Sequence, residues 1–360
     1  MAADLTREEI VAAIADDQLI IGKNLSGLDL SGLDLTGGWF EKVDFSGASF
    51  KNSKIDRTGF RDCDFTGADF TGLKLDRAVW KDMRLKGACL RGADLLQVVL
   101  SGSELGGADL GGASLERCIV DQGGWAGADF SGSRLRQTQF SNCDLTGAVF
   151  RGTDLYSTIF YRCGLTGIDP RRALLERTVF HESDLSGQDF SGLSLHLVQF
   201  RNNNLRGANF RKADVSRCAF DGADLTGADF TGCRAREAFF EKAVLRRARL
   251  TGGTFDWAMF IGADLTETEM SGADFSQADF SEASIVRSNA ADSSFFMGRL
   301  CHAEVRGSNF SRANLSGLNL HGLSDLDNLW TDSSRALARG DDPDRLKAEQ
   351  WFDRHQHLSK

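Results

Sequence analysis

Proline and tyrosine are scarce in this 360-residue chain, which contains two of each. No run of 18 apolar residues occurs, so we expect no transmembrane helix. The N-terminal sequence MAADLTREEI has no basic flank followed by an apolar stretch, so no signal peptide is expected. Nucleophile, P-loop and dinucleotide-binding motifs are also missing. We therefore expect no catalytic residue, no bound cofactor and no enzymatic activity.

The charge and the cysteines narrow the class further. A formal net charge of −9 disfavours direct binding to nucleic acid or to an anionic membrane as the main activity. Eight cysteines without paired spacing are typical of free thiols in a reducing, bacterial cytoplasm. The histidines are scattered, with His355 and His357 near the C-terminus, and no metal site is predicted.

Glycine and phenylalanine are abundant, with 39 and 26 residues, and they follow a period of five. Large apolar residues occupy the multiples of five from Leu25 to Leu320, with only Pro170, Ala235 and Ala290 as exceptions. We call this position the centre. The residue two before it is usually small, the residue directly before it is often Asp, and Ser or Thr followed by Gly commonly comes after it.

This order predicts a coil. Side chains alternate in an extended segment, so the small residue and the centre point inward together while the residue between them points outward. The Ser/Thr-Gly pair suits a turn, because glycine tolerates positive φ. Four five-residue units would close one square coil of 20 residues, and the recurring Asp is explained by solvation and turn chemistry.

The repeats, seen plainly in GADFTGLKL and GADLTGADFTG, resemble the pentapeptide-repeat family with its A(D/N)LXX consensus. The resemblance implies an all-β solenoid, a right-handed quadrilateral β-helix of about 15 coils with helical caps at both ends. We assign residues 1–19 to an N-terminal capping helix and 20–323 to the β-helix. Residues 324–360 are assigned to a C-terminal helical cap or dimerisation segment, since some family members dimerise through such a helix.

Both ends carry helix signals. Thr6 and Glu9 predict a capping box for a helix over 4–18. Past Leu320 the register is expected to stop, with a short helix at 333–339. A clearer helix is expected to start at Asp342-Pro343 and to run to about 357. The candidate cap or dimer helix presents these apolar side chains: Leu346, Trp351, Phe352 and Leu358.

Pro170 and the cysteines are the other irregular features of the repeat. Because proline cannot donate to the ladder, we expect a bulge or kink over 166–175, with Ile168 or Leu174 helping to fill the core. Six of the cysteines occupy the small inward position and are interpreted as buried apolar residues: Cys63, Cys118, Cys143, Cys163, Cys218 and Cys233.

One of the four sides differs from the others. On three sides the outward residue before the centre is acidic eight, eight and five times, whereas on the side with centres at multiples of 20 it is acidic once, at Asp279. We call the apolar residues of this side the stripe. They favour either an exposed strand, because Val and Ile suit strands, or a surface that docks a partner or a second copy. The candidate binding residues are Trp39, Val79, Val99, Ile119, Ile159, Val179, Phe239 and Met259.

These observations favour a non-enzymatic scaffold that binds a protein partner of unknown identity or forms a homodimer. The family resemblance leaves two alternatives open. One is a type VI secretion-associated adaptor or accessory protein, on the similarity of LTREEI and LSGLDLSGLDLTG to such regions. The other is a DNA mimic that binds DNA gyrase or topoisomerase, which the moderate charge and the uninterrupted register disfavour. A basic cluster within 234–249 is interpreted as solvated surface with local ion pairs.

Overall fold

The computed structural model of the protein describes residues 3–347 and 349. The chain divides into two compact units, 1–189 and 190–360, and each is described by itself. Both consist of parallel β-ladders that pair residues 20 apart, and the chain forms a β-solenoid of about 15 coils. The predicted solenoid is therefore confirmed. Within the described residues, no helix is long and apolar enough to cross a bilayer.

The corners of the coils follow the five-residue period without exception. Every fifth residue from Asp17 to Asp332 has positive φ, whether it is a glycine such as Gly107 (66°) or another residue such as Arg117 (58°). Glycine adopts this left-handed conformation without steric cost. The Gly of the repeat is therefore a turn residue, as its position after the centre predicts.

The core is built from the centres and the small residues two before them. The centres are almost all fully buried, and so are small residues such as Ala48 and Ala68. Aromatic centres one coil apart stack face to face: Phe220 and Phe240 have ring centroids 4.9 Å apart, and Phe240 and Phe260 have centroids 4.7 Å apart. Large rings therefore contact one another along each unit while small residues fill the space between them.

The N-terminal unit starts with helix α1 (Arg7–Ala15), shorter at both ends than the helix predicted over 4–18. Thr6 is its N-cap, and the predicted capping box with Glu9 is present. Nine parallel strands then form one sheet in sequence order. The strands are β1 (Leu19–Ile21), β2 (Trp39–Glu41), β3 (Gly59–Arg61), β4 (Val79–Lys81), β5 (Val99–Ser101), β6 (Ile119–Asp121), β7 (Gln139–Ser141), β8 (Ile159–Tyr161) and β9 (Val179–His181).

Helix α1 closes the exposed end of the first coil. Ile10 is fully buried, and the side chain of Ile14 approaches Gly38 so closely that a Cβ there would lie 3.0 Å from its Cδ1. The Arg7 guanidinium donates to the carbonyl oxygens of Asp29 (2.8 Å) and Ser31 (2.7 Å). In later coils such carbonyls accept from the backbone of the preceding coil, so Arg7 replaces donors that the first coil lacks.

The C-terminal unit continues the ladder past Leu320, where the sequence predicted its end. Three strands pair in parallel, β10 (Ser284–Val286), β11 (Glu304–Arg306) and β12 (Ser324–Leu326). Trp330 stacks on Phe310 at 4.5 Å, and a bridge joins Asn319 to Arg339. The coil geometry thus extends beyond the expected boundary at 323, although Asp325 replaces the apolar centre and is exposed.

The helices expected at the C-terminus are present in shorter form within the described residues. A single turn of 3₁₀ helix spans Arg335–Leu337, inside the predicted 333–339. Residues 343–347 are helical, and the Asp342 carboxylate accepts from the backbone N–H groups of Asp344 (3.1 Å) and Arg345 (3.2 Å). Asp342 is therefore the N-cap that the Asp-Pro pair predicts.

The ladder passes Pro170 without an inserted residue. Asp169 still pairs with Val149 and Leu174 still pairs with Asp154, each across 20 residues. The predicted bulge is therefore wrong, because the proline occupies a centre position without shifting the register. Ile168 is buried, as expected of a residue that fills the core, whereas Leu174 is 61% exposed and does not fill it.

Candidate functional site

The stripe of the N-terminal unit coincides with its sheet. All nine strands have their middle residue at a multiple of 20, so the residue before it is the first residue of each strand and points outward. Trp39 is 59% exposed, Val79 51% and Ile119 51%. Strand preference therefore accounts for part of the pattern, and the side chains nevertheless leave a line of large apolar groups exposed to solvent.

Trp39 has a specific partner within this line. A Cβ on Gly59, the residue that pairs with Trp39 in the next strand, would lie 2.6 Å from the indole ring. The ring therefore covers the backbone of Gly59, which is buried. The close approach requires glycine at position 59, and it fixes the orientation of the most exposed aromatic side chain of the stripe.

In the C-terminal unit the stripe positions carry ladder bridges without extended strands. Phe239 is 37% exposed and Met259 is half-buried, and each is joined to its neighbours by isolated bridges. Strand preference therefore does not explain these two side chains. Two further exposed apolar residues, Trp257 (50%) and Met297 (49%), have positive φ of 63° and 57°. Bulky residues are rare in this conformation, and the sequence reasoning missed both because it examined only the outward position.

The candidate C-terminal helix is only partly described. Leu346 is half-buried and lies in the helical residues 343–347. Trp351, Phe352 and Leu358, the other residues assigned to this cap or dimer helix, lie outside the described residues.

The recurring Asp residues serve the turns, as predicted. Asp69 accepts from the backbone N–H of Thr71 at 2.9 Å, and Asp144 accepts from that of Thr146 at 3.0 Å. The hydroxyl and the N–H of Thr71 hold the pKa of Asp69 below its usual value. A side chain that bonds the backbone two residues later closes an Asx turn. The ladder of carboxylates is therefore structural.

The basic cluster is paired with acidic groups on adjacent coils. Arg247 contacts Glu267 at 2.7 Å and Arg236 contacts Asp256 at 3.4 Å. Similar pairs recur elsewhere, for example between Arg84 and Asp64. The interpretation as solvated surface with local ion pairs is consistent with these contacts, and the pairing divides the acidic surface into mixed-charge segments.

The inward cysteines are buried free thiols. Burial raises the pKa of the Cys63 thiol to about 11 and that of the Cys118 thiol to about 12. A thiol with such a pKa is protonated at neutral pH and is a poor nucleophile. Cys89 differs, because it occupies an outward position and is only half-buried.

A cluster that the sequence did not indicate lies at the end of the C-terminal unit. His302 and His321 lie on adjacent coils, and Glu349 follows the helical residues 343–347. The Glu349 Oε2 atom lies 3.1 Å from His321 Nε2 and 3.3 Å from His302 Nε2. The two rings have centroids 5.3 Å apart. Three groups that can ligate a metal ion therefore converge where the sequence predicted no metal site.

Comparison with protein families identifies the class of this protein. A model of pentapeptide repeats (8 copies) covers more than half of the chain, and a model of the pentapeptide repeat region covers residues 153–230. The chain therefore belongs to the pentapeptide-repeat family. The segments matched by the repeat model are 44–79, 83–117, 126–162, 223–260, 258–295 and 299–324.

Solved structures of the family are similar to this chain at low overall superposition. QnrB1, a plasmid-mediated fluoroquinolone resistance protein, is 18% identical over 70% of this chain and 95% of its own, with a TM-score of 0.27. HetL, involved in heterocyst differentiation regulation in the cyanobacterium Nostoc, is 21% identical over 92% and 95%, with a TM-score of 0.16. A protein from the Arabidopsis thaliana thylakoid lumen is 31% identical over 28% and 66%, with a TM-score of 0.19. Comparison with the curated proteins found no match.

Proposed function

We propose that this protein is a non-enzymatic scaffold that binds a protein partner through the stripe of its N-terminal unit. The observation that carries the proposal is the line of exposed apolar side chains at Trp39, Val79, Val99, Ile119 and Ile159. Aligned apolar groups of this kind on a soluble protein are typical of interaction surfaces. Two copies of the chain joined through this surface are a second possible product of the same chemistry.

The backbone supports a side-chain mode of binding. Along this side, each strand is paired with the strand before and after it, so the backbone has no free edge in the middle of the sheet. A partner cannot add a strand there and must contact the side chains. The exposed phenylalanine and tryptophan of the C-terminal unit, Phe239 and Trp257, supply a second candidate contact region.

A substitution that keeps strand preference separates docking from local structure. Threonine retains the β-branch that favours strands and removes the exposed apolar surface. We therefore expect the triple variant Val79→Thr, Val99→Thr and Ile119→Thr to fold normally and to lose the captured partner or the self-association. Cross-linking pull-down and light scattering on the same samples measure both.

The matched control changes outward residues on another side of the same unit, Lys54→Thr, Lys74→Thr and Arg134→Thr. It should retain every interaction of the unmodified protein. Binding and self-association that are unchanged in the stripe variant would reduce the stripe to strand preference and contradict the proposal.

The alternatives remain predictions. The pairing of carboxylates with arginines on neighbouring coils, such as Arg201 with Asp221 at 3.0 Å, opposes a DNA mimic, because a mimic needs an uninterrupted acidic surface. A gyrase supercoiling assay tests that hypothesis directly. The secretion-associated hypothesis requires a partner encoded with a type VI apparatus, which identification of the captured protein would reveal.

A further inference from the structure

We propose that His302, His321 and Glu349 form a binding site for a divalent transition-metal ion that fastens the C-terminal segment to the last coils of the solenoid. This inference is independent of the stripe and of the proposed scaffold function. It rests on the convergence of two imidazoles and a carboxylate, which are ligands that zinc and its neighbours in the periodic table prefer.

The distances fit a metal ion. The three candidate ligand atoms lie within 4.8 Å of one another, and the Glu349 oxygen is 3.1 and 3.3 Å from the two histidine nitrogens. Ligands bound at about 2.0–2.1 Å in a tetrahedron are about 3.3 Å apart. Only the two imidazole nitrogens need a small adjustment. Three protein ligands would leave the fourth position for water.

The surrounding residues hold these ligands in place. A Cβ on Gly322 would lie 2.3 Å from His302 Nδ1, so the imidazole rests on the backbone of a glycine. Glu349 accepts at Oε1 from Arg345 Nε at 2.8 Å, which directs Oε2 towards the histidines. The His321 side chain is 3% exposed, so water competes weakly at that ligand. Outer contacts of this type orient metal ligands in proteins.

Asp341 completes the arrangement. In the structure, His321 Nδ1 accepts from the backbone N–H of Asp342 at 3.2 Å, which places the ring proton on Nε2, facing Glu349. A metal ion at Nε2 displaces that proton, and the neutral imidazole then carries its proton on Nδ1. The Asp341 Oδ1 atom, 3.9 Å from Nδ1 and held by the N–H of Gly322 at 2.8 Å, is the carboxylate that would accept it.

The site joins parts of the chain that are distant in sequence. His302 and His321 belong to the solenoid, whereas Glu349 belongs to the segment that follows Asp342 and Pro343. A bound ion would therefore hold this segment against the end of the ladder and cover the last coil. Metal binding to the folded state stabilises it in proportion to ligand concentration.

The experiment uses the full chain carrying His355→Asn and His357→Asn, so that the terminal imidazoles do not bind the probe. Zinc is titrated into chelator-treated protein by calorimetry, and cobalt is titrated with visible absorption as the readout. We expect one ion per chain, the absorption bands of tetrahedral cobalt, and slower hydrogen exchange at 343–349 when zinc is present.

In this background, His302→Ala and Glu349→Gln should each weaken zinc binding at least tenfold, and Asp341→Asn should weaken it about tenfold. His196→Ala, which removes an exposed histidine elsewhere in the unit, should leave binding unchanged. Metal-free melting temperatures show whether each variant is folded. Absence of zinc binding in the background protein, or full binding by the folded Glu349→Gln variant, would overturn the proposal.

Discussion

Each turn of this solenoid requires a residue with positive φ, and glycine fills fewer than half of these positions. Residues such as Gln97 and Arg177 adopt the same conformation at 58°. A non-glycine residue is less stable there by about 1–2 kcal/mol. The fold tolerates this because neighbouring coils hydrogen-bond the turn: the N–H of Gln97 donates to the carbonyl of Glu116 at 3.0 Å.

Two adjacent glycines allow this cost to be measured. Gly107 has a φ of 66° and open space where a Cβ would be, whereas Gly106 lacks positive φ and its Cβ would make an ordinary contact. We expect Gly107→Ala to be less stable than Gly106→Ala by about 1–2 kcal/mol in urea unfolding. Both substitutions restrict the unfolded chain equally, so Gly106→Ala is the control. Equal stabilities would contradict the turn assignment.

The cysteines give a second prediction for single residues. Cys89 points outward and is half-buried, whereas Cys63 and Cys118 are buried with raised pKa values. We expect iodoacetamide at pH 8 to label Cys89 at least tenfold faster than either buried thiol, because the thiolate is the reactive form. Peptide mass spectrometry measures the rates. Labelling of Cys63 at the rate of Cys89 in folded protein would contradict the assigned inward position.

Among the elements, helix α1 protects the first coil by satisfying its backbone. The Arg7 guanidinium binds two carbonyl oxygens, those of Asp29 and Ser31. Hydrogen bonds from a charged donor contribute about 1.5–3 kcal/mol, less where solvent reaches them. We expect Arg7→Ala to lower the free energy of unfolding by about 1–2 kcal/mol and to increase aggregation, because it exposes a sheet edge.

Arg7→Lys and Glu8→Gln complete this test. The single ammonium of lysine does not reproduce the fork of the guanidinium, so Arg7→Lys should recover only part of the lost stability. Glu8 is exposed on the same helix, and its substitution should change stability by less than about 0.5 kcal/mol. Full recovery by lysine would show that charge alone holds the cap.

The sequence predicts the elements whose causes are local. The capping box at Thr6, the N-cap at Asp342 and the glycine turns depend on residues at most three positions apart. The extension of the ladder beyond Leu320 was missed because Asp325 occupies a centre and the apolar period stops. That coil is held instead by backbone pairing and by Trp330 stacking on Phe310, which no five-residue pattern reveals.

The metal-ligand cluster was missed for a geometric reason. His302 and His321 are 19 residues apart, which has no meaning in a helix or a strand but brings side chains together across one coil. Glu349 joins them only through the fold of the C-terminal segment. The stripe, in contrast, was predictable, because it requires only that residues 20 apart share a side.

For the molecule as a whole, the architecture confines the free backbone to the ends of the ladders. Each internal coil donates to and accepts from its neighbours, as at Asp129, whose N–H donates to Ala108 and whose carbonyl accepts from Leu110. Growth by strand addition is therefore restricted to the ends. The helix α1 at one end and the segment after Asp342 at the other limit such growth, and the sides remain available for side-chain contacts.

The Asp ladder makes stability depend on pH. Hydrogen bonds from Ser31, Thr36 and Thr71 lower the pKa values of Asp29, Asp34 and Asp69 below their model value of 3.8. Unfolded carboxyl groups bind protons at about pH 3.9. Their contribution to stability is therefore fully present above pH 4 and is lost as the pH falls through the lower folded-state values.

The triple variant Asp29→Asn, Asp34→Asn and Asp69→Asn tests this origin. Asparagine keeps an oxygen for the backbone N–H and cannot titrate. The variant should be less stable at pH 7, because charge-assisted bonds are stronger, and should lose less stability than the unmodified protein between pH 5 and pH 2.5. Urea unfolding followed by circular dichroism measures both. An identical acid loss in the two proteins would locate the pH dependence outside these turns, since the only change is the removal of three titrating groups that accept from the chain two residues ahead.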